Sequence, residues 1–259
     1  MRRFRLLYKY VIHFLSARNT NGFGIHSPFV FHFANYVLRN KGVYYPFAKV
    51  ELIRSELKRD KRLIDIKDFG TGVDRKRRVA DIATKSLKSS KYGQLLFRMV
   101  NYFNPECVLE FGTSLGITTS YLAFPSTKIH CISLEGCPQT AKIAIENFNK
   151  IGLKNVNVVV GNIDDTLVQV LSEIDKLDFV FFDANHRSEF LLNYFEQCLP
   201  KVNDNSVMVF DDIYWSKDME NAWTKIKQHS KVRSTIDLFQ IGIVFFNPDL
   251  NKKHYKMRY

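Results

Sequence analysis

The fold of this chain is decided by the stretch VLEFGTSLGITTSYLA, residues 108–123. Its first four residues suit a buried strand and run into Gly112, and a turn of small residues then leads to Gly116. After Gly116 the pattern can continue only as a helix. The stretch therefore predicts a β-strand, a tight glycine turn and a helix N-terminus, with Glu110 placed just before the turn.

Apolar runs alternate with helical patterns from residue 105 onward. The runs are rich in Val, Ile and Phe without polar alternation, which is typical of parallel strands covered on both faces. We predict strands at 108–111, 129–134, 156–160, 179–182 and 207–210, and helices at 138–151, 166–174, 187–199 and 219–229. This alternation predicts a doubly wound α/β sheet with right-handed crossovers.

The end of the chain breaks this rhythm. Two apolar runs, Val232–Phe239 and Ile241–Phe246, have almost nothing between them. The second run must therefore return antiparallel to the first. A parallel sheet that closes with such a hairpin is not the usual dinucleotide-binding dehydrogenase.

The first 90 residues predict a basic, irregularly helical extension, separate from an α/β domain at 91–259. Apolar residues recur at helical spacing in residues 1–18, which indicates a basic amphipathic helix and no cleaved signal peptide. In IHSPFVF (25–31), Ser27 suits a helix N-cap and Pro28 the first helical position. Residues 68–78 predict a polar loop, and a helical pattern at 79–102 breaks near 89–93.

The net charge of +12 is unevenly distributed. Residues 1–91 hold 21 Lys and Arg against 7 Asp and Glu, whereas residues 92–259 hold 17 against 19. The basic first third is compatible with an RNA or other polyanion partner, and equally with a solvated basic surface. No signature of the known nucleic-acid-binding modules is present.

The four cysteines show no C-x-x-C pair and no metal-type spacing. This predicts reduced, mostly buried thiols in a cytosolic, cytoplasmic protein. No apolar stretch approaches the roughly 18–20 residues that a membrane span requires.

The glycine turn is a candidate ligand site, because ligands in such sheets bind outside the carboxyl ends of the strands. Its pattern is E-x-G-x-x-x-G, which is not the G-x-G-x-x-G fingerprint that places a pyrophosphate on a helix N-terminus. A looser turn preceded by an acid suits a ligand with a cationic amine and no phosphate, of which S-adenosylmethionine is the common case. The predicted cofactor-binding residues here are Glu110, Gly112, Thr113, Ser114 and Gly116.

The next two strand ends extend this candidate site. Glu135 ends the second strand, 23 residues after Gly112, and is positioned to bind both hydroxyls of a ribose. Alternatively, Glu135 only opposes the dipole of the helix that begins at Pro138. After the third strand, the polar and apolar side chains of 161–164 can flank an adenine. The predicted contacts are Glu135, Gly136, Asn162, Ile163 and Asp164.

Three carboxylates follow the fourth and fifth strands. Asp183 ends the fourth strand, and Asp211 and Asp212 end the fifth. Converging carboxylates repel one another unless they are protonated or bridged by a cation, so this set predicts a site for Mg²⁺, or for Ca²⁺ or Mn²⁺. The alternative is that the Asp211–Asp212 pair caps the following helix or faces solvent.

From about residue 91 to 246 the chain resembles the class I S-adenosylmethionine-dependent methyltransferases, and most closely the catechol and caffeoyl-coenzyme A O-methyltransferases. The motifs that carry this resemblance are KYGQLLFRMVNYFNPECVLEFGTSLGITTSYLA (91–123), LDFVFFDANH (177–186) and VMVFDDIYW (207–215). The resemblance implies a Rossmann-like, seven-stranded, mostly parallel sheet with an antiparallel last strand. It also implies a lid or acceptor-recognition role for the extension.

The resemblance further implies roles at the strand ends. The family holds a metal with an Asp, here Asp183, and with an Asp-Asn pair, whose second position is Asp212 in this chain. His186 stands where the family has a lysine base, and an imidazole can take a proton near neutral pH. We therefore expect Asp183 and His186 to be catalytic, with Asp183 also near the cofactor.

The leading hypothesis is O-methyl transfer to a small-molecule hydroxyl, with or without divalent-cation assistance. Two alternatives are an RNA or protein methyltransferase that docks through the basic first third, and a cofactor-binding module without catalysis. The absence of N-P-P-Y and D-P-P-Y after the fourth strand disfavours methylation of exocyclic amines of nucleic-acid bases.

Overall fold

The computed structural model describes residues 2–17, 24–67, 69 and 74–259, with side chains from Phe4 onward. These residues form two compact units, one of Lys41–Ile174 and one of Met1–Asn40 together with Asp175–Tyr259. The predicted boundary near residue 90, between a helical extension and an α/β domain, stays a prediction.

The elements are numbered in chain order. The α-helices are α1 (Arg2–Ser16), α2 (Pro28–Phe33), α3 (Tyr45–Leu57), α4 (Val79–Lys85), α5 (Ser90–Phe103), α6 (Ile117–Ala123), α7 (Pro138–Ile151), α8 (Ile163–Glu173), α9 (Ser188–Cys198) and α10 (Lys217–Gln228). The strands are β1 (Leu63–Ile66), β2 (Arg75–Arg78), β3 (Cys107–Phe111), β4 (His130–Glu135), β5 (Val156–Val160), β6 (Leu177–Phe182), β7 (Val202–Asp211), β8 (Ser234–Asp237), β9 (Ile241–Phe245) and β10 (Lys253–Lys256). A π-helical turn, Ala34–Leu38, extends α2, and a 3₁₀ turn, Leu199–Lys201, extends α9.

In the 41–174 unit, β3, β4 and β5 lie side by side and parallel, in that order. Every residue of β3 is buried, because helices cover its apolar side chains on both faces. In this register Glu110 of β3 lies opposite Ser133 of β4, and Glu135 lies opposite Val160 of β5. The carboxyl ends of the three strands therefore meet at one edge of the sheet.

The same unit contains an antiparallel hairpin, β1–β2, that was not predicted from the sequence. The prediction of a polar loop at 68–78 is wrong for Arg75–Arg78, which form β2; residues 68 and 70–73 lie outside the described residues. A run of four basic residues carries no β periodicity, so tertiary contacts decide its conformation. Asp65 of β1 donates its backbone N–H to Gln139 Oε1 at 2.8 Å, which docks the hairpin on α7.

In the other unit the strand order is β10-β8-β9-β7-β6. Strands β6 and β7 are parallel, and β9 is antiparallel to both β7 and β8. The antiparallel return predicted from 232–246 is therefore confirmed. The structure adds a strand to the expected seven, because β10 pairs in parallel with β8 and buries Tyr255.

The predicted α/β class with a mostly parallel sheet and flanking helices is confirmed. The predicted helix at 138–151 is observed with the same bounds, and the strand at 156–160 likewise. The break in the 79–102 pattern is observed at 86–89, between α4 and α5. The four cysteines are free and buried, as predicted. None of the described helices is long and apolar enough to cross a membrane.

The IHSPFVF segment leads into the first turn of α2. Ser27 caps the helix by accepting the N–H of Val30, and Pro28 takes the first turn, as predicted. The rings of Phe29 and Phe33 then meet the ring of Phe245 edge-on, with centroids 5.1 and 5.7 Å away. The segment therefore anchors the N-terminal helices on β9.

Helix α1 is attached to its unit by polar side chains. Arg5 and Lys9 contact the carboxylate of Glu220 at 3.3 and 2.6 Å. His13 Nε2 lies 2.9 Å from Asp237 Oδ1, and both side chains are buried. Burial alone would raise the pKa of Asp237, but hydrogen bonds from His13 and Tyr214 hold that pKa below its ordinary value.

We predict that Asp237→Asn lowers the free energy of unfolding at neutral pH by about 3 kcal/mol, because it removes a buried carboxylate that accepts hydrogen bonds from His13 and Tyr214. The folded pKa of Asp237 is depressed, so its stabilisation is present above the unfolded pKa and disappears as the pH falls through the folded pKa. The difference between variant and wild type should therefore shrink in acid. Urea unfolding at several pH values measures both effects.

Asp249→Asn is the matched control, because Asp249 is exposed on a loop of the same unit. It should change the free energy of unfolding by less than about 0.5 kcal/mol. Equal losses in the two variants would show that the buried pair does not hold α1.

Candidate cofactor-binding and active site

The turn after β3 is built on backbone conformations that favour glycine. Gly112, Ser114 and Gly116 all have positive φ, at 97°, 49° and 80°. A Cβ on Gly116 would lie 2.7 Å from the ring of Phe148. The turn therefore needs glycine at this position, both for its conformation and for the close approach of α7.

Glu110 lies beneath this turn and is fully buried. Its Oε2 accepts hydrogen bonds from Thr119 Oγ1 at 2.5 Å and from Ser133 Oγ at 2.6 Å, and Ser133 also bonds Thr113 Oγ1. Burial raises the pKa of Glu110 to about 7, although the bonds from Ser133 and Thr119 oppose this rise. The three hydroxyl residues around Glu110 had not been recognised as a network from the sequence.

The second oxygen of Glu110, Oε1, is buried and has no hydrogen-bond partner among the described residues. A buried carboxylate oxygen without a partner costs free energy that a cationic group or a donor at this place would recover. The orphaned oxygen is compatible with a ligand that carries a positively charged amine, and the binding of such a ligand by Glu110 stays a prediction.

Glu135 ties the turn to the next helix. Its Oε2 accepts the N–H of Ser114 at 2.7 Å, and its Oε1 accepts the N–H of Cys137 at 2.8 Å and the hydroxyl of Thr140 at 3.0 Å. Burial raises the pKa of Glu135, while these hydrogen bonds favour its charged form. The sequence left open that Glu135 only interacts with the N-terminus of α7. The structure shows that Glu135 does make this interaction, through Cys137 and Thr140.

Glu135 keeps capacity for a ligand nonetheless. A carboxylate oxygen offers two lone pairs, and Oε2 accepts a single protein donor among the described contacts. The geometry therefore leaves an acceptor position for one hydroxyl. Binding of both ribose hydroxyls by Glu135 stays a prediction.

The end of β5 presents an N-cap. Asn162 accepts the N–H of Asp164 with its side chain and so begins α8. Ile163 is buried and Asp164 exposed, so they face different surroundings. Their contacts with an adenine stay predictions.

Phe69 is a neighbour of this edge that sequence reasoning missed. A Cβ on Gly136 would lie 2.9 Å from the ring of Phe69, so the ring packs directly on the residue after Glu135. The ring is 40% exposed, and Lys67 Nζ lies 4.7 Å from its centroid. The only signal in the sequence was an aromatic residue inside a glycine-containing loop.

The predicted catalytic residues follow β6, in the other unit. Asp183 and His186 are half-buried, and Asn185 has a φ of 47° and donates to the hydroxyl of Tyr194 at 3.1 Å. The ring centroid of His186 lies 6.1 Å from that of Trp215, in the loop after β7. The loops after β6 and β7 are therefore neighbours, as the parallel pairing of these strands requires.

The predicted metal site is not supported. Phe182 lies opposite Phe210, so Asp183 and Asp211 leave adjacent strands at the same edge. Among the described residues, however, no group of three or more His, Cys, Asp or Glu side chains is arranged to hold a metal ion. Asp212 has a φ of 52°, and its carbonyl accepts the N–H of Trp215 in a turn. Asp183, Asp211 and Asp212 therefore do not fit the metal that the resemblance implied.

Comparison with known proteins agrees with this architecture. Residues 109–213 match the family model of a methyltransferase domain. No curated protein matches the chain.

Solved structures match most of the chain. The SAH-bound methyltransferase PaMTH1 of Podospora anserina superposes with a TM-score of 0.60 at 15% identity, covering 86% of this chain and 97% of that one. An O-methyltransferase from Bacillus cereus in complex with SAH superposes with a TM-score of 0.57 at 20% identity, covering 82% of this chain and 96% of that one. A caffeoyl-CoA O-methyltransferase-like protein from Staphylococcus aureus superposes with a TM-score of 0.56 at 17% identity, covering 64% of this chain and 88% of that one. At these identities the similarity establishes the fold.

We predict that Glu110→Gln changes how stability depends on pH. The raised pKa means that ionising Glu110 penalises the folded state progressively as the pH rises from its unfolded pKa to about 7. Between about pH 5 and pH 8 the variant should therefore gain about 2 kcal/mol relative to the wild type. Urea unfolding across this range measures the difference.

Glu106→Gln is the control, because Glu106 is exposed just before the same strand. The free energy of unfolding of this variant should depend on pH in the same way as that of the wild type. If the free energy of unfolding of Glu110→Gln also followed the wild type across this pH range, Glu110 would not titrate there with a raised pKa.

Proposed function

We propose that this chain, whose residues 109–213 match the model of a methyltransferase domain, transfers a methyl group from S-adenosylmethionine to a hydroxyl of a small molecule. The observation that carries this proposal is the edge formed by β3, β4 and β5. There a glycine turn, an incompletely bonded Glu110 and the strand-end Glu135 lie together. These features suit a cationic amine beside a nucleoside and provide no phosphate fingerprint.

The proposed cofactor would be held by the residues of this edge. Glu110 would favour the amine through its buried charge, and Glu135 would accept a ribose hydroxyl at Oε2. Gly112, Thr113, Ser114 and Gly116 would line the cofactor chiefly through backbone, because the Thr113 side chain is buried and bonded to Ser133. Gly136, Asn162, Ile163 and Asp183 remain the other proposed cofactor contacts.

Methyl transfer is a displacement at a sulfonium carbon, in which the acceptor oxygen forms a bond to the methyl group as the carbon–sulfur bond breaks. The protein must align the acceptor and remove its hydroxyl proton. His186 is the proposed base, since an imidazole nitrogen can take that proton near neutral pH. Asp183 is the proposed second catalytic residue.

No step of this proposal passes through a metal. The carboxylates after β6 and β7 do not form a group that fits one among the described residues. Turnover measured with and without excess chelator tests whether a divalent cation assists the reaction.

A specific surface favours one alternative function, methylation of RNA. Strand β2 is the basic run Arg75–Arg78 of an exposed hairpin, and the end of α3 adds Lys58 and Arg59 nearby in the chain. RNA binding that weakens steeply with added salt would support this alternative. Binding of S-adenosylmethionine without turnover on any acceptor would support the other, a non-catalytic module.

We predict that Glu135→Ala weakens binding of S-adenosylhomocysteine by about tenfold or more, because a charged hydrogen bond to the ribose is lost. Isothermal titration calorimetry measures the dissociation constant. NAD, titrated in parallel, should not bind.

Thr140→Ala is the matched control, because it removes one hydrogen bond to Glu135 while leaving the carboxylate in place. The affinity of Thr140→Ala for S-adenosylhomocysteine shows how much the hydrogen bond between Glu135 and the first turn of α7 contributes to binding. Equal affinities for wild type and Glu135→Ala would refute the cofactor assignment.

We predict that His186→Ala lowers turnover by about a hundredfold or more, with S-adenosylhomocysteine affinity unchanged, because it removes general base catalysis. Transfer of a radiolabelled methyl group to a panel of dihydroxyphenyl acceptors, with and without chelator, gives the rate. His130→Ala, which alters an exposed histidine of β4, is the control. Wild-type turnover in His186→Ala would remove this residue from the mechanism.

A further inference from the structure

The β1–β2 hairpin is attached to the first turn of α7, and methyl transfer to a small molecule as proposed above gives it no role. The backbone N–H of Asp65 donates to Gln139 Oε1 at 2.8 Å, and Cys137 Sγ donates to the Asp65 carbonyl oxygen at 3.4 Å. Residues 109–213, which match the methyltransferase model, begin only after the hairpin. The hairpin is therefore an addition to the matched domain that reaches its cofactor edge.

Phe69, which lies between β1 and β2 in the chain, meets this edge at two strand ends. A Cβ on Gly136 would lie 2.9 Å from the Phe69 ring and 4.0 Å from the carbonyl oxygen of Gly161. Gly136 and Gly161 directly follow β4 and β5, and the N–H of Gly161 bonds the Glu135 carbonyl oxygen at 3.0 Å. The ring therefore lies where the base of the proposed cofactor is expected.

The residue after Glu135 has no side chain of its own to contact a base. Gly136 offers only backbone, so an apolar surface at this place has to come from another part of the chain. Phe69 supplies one, since its ring contacts Gly136 and is still 40% exposed. An accessible aromatic ring is a platform on which a base can stack, because every base presents a π-face.

Lys67 lies over the same ring and does not close it to a ligand. Its Nζ is 4.7 Å from the centroid of the Phe69 ring, and both side chains are exposed. A cation–π contact between exposed groups is weak, so a base can displace the ammonium from the ring. The hydrogen bonds of Asp65 hold the hairpin on α7 independently of this contact.

We propose that Phe69 binds the adenine ring of S-adenosylmethionine by stacking, so that the β1–β2 hairpin forms one wall of the cofactor site. This inference rests on the proposed function, because it takes S-adenosylmethionine to bind at the ends of β3, β4 and β5. Two other roles for Phe69 make different predictions. In one the ring only fastens the hairpin to Gly136, and in the other it occupies the place of the base and hinders binding.

Isothermal titration calorimetry with S-adenosylhomocysteine tests the proposal on the full chain. Phe69→Ala should weaken binding about tenfold, because base–aromatic stacking is lost. Tyr45→Ala is the matched control, since Tyr45 is also exposed in the same unit and has Lys49 Nζ 5.8 Å from its ring centroid. The control should bind like the wild type, and thermal unfolding should show that both variants fold.

The variant Phe69→Trp reports the contact directly. It keeps an aromatic ring, so it should bind S-adenosylhomocysteine like the wild type, and its added fluorescence should be quenched as the base stacks on the indole. The chain already contains two tryptophans, Trp215 and Trp223, so the wild-type titration is subtracted. Tyr45→Trp should show no quenching beyond that of the wild type.

Three results would overturn the proposal while the wild type still binds S-adenosylhomocysteine. Equal affinity of Phe69→Ala and the wild type would show that the ring only fastens the hairpin. Tighter binding by Phe69→Ala would show that the ring occupies the place of the base. The third is unquenched fluorescence in Phe69→Trp. If the wild type itself does not bind S-adenosylhomocysteine, the proposed function fails first, and this inference fails with it.

Discussion

The candidate site depends on one carboxylate, that of Glu135. It accepts hydrogen bonds from the turn after β3, through Ser114, and from the start of α7, through Cys137 and Thr140. The backbone N–H groups of Ser114 and Cys137 lie in a turn and just before a helix, where N–H groups lack partners within their own elements. One half-buried acid thus links the turn after β3 to the end of β4, at the edge where a cofactor is expected.

A second acid, Glu110, lies beneath the same turn, and its burial costs free energy in the folded protein. Glu110 is buried with one oxygen bonded by Thr119 and Ser133 and the other without a described partner. Its raised pKa reflects the free-energy cost of burying this charge in the folded protein. Buried groups that are incompletely satisfied are common at binding sites, since the ligand supplies the missing interaction. Binding of the proposed cofactor at Glu110 would therefore also stabilise the fold.

The N-terminal helices α1 and α2 are attached to the rest of their unit by different kinds of contact. Phe29 and Phe33 of α2 anchor the region on β9, and the charges of α1 are turned inward to Glu220 and Asp237. Because the ion pairs occupy the protein side, the apolar residues of α1 are left outside.

The sequence by itself determined the alternation of strands and helices, the closing hairpin and the acids at the strand ends. Local periodicity carries these features, and for this reason α7 and β5 were predicted with their observed bounds. Tertiary structure alone decided the basic strand β2, the added strand β10, the ring of Phe69 on Gly136 and the inward orientation of the charges of α1. Among the described residues it shows no group of three or more carboxylates, histidines or cysteines arranged for a metal. Each of these depends on partners distant in the chain, and periodicity says which residues share a face but not what that face will meet.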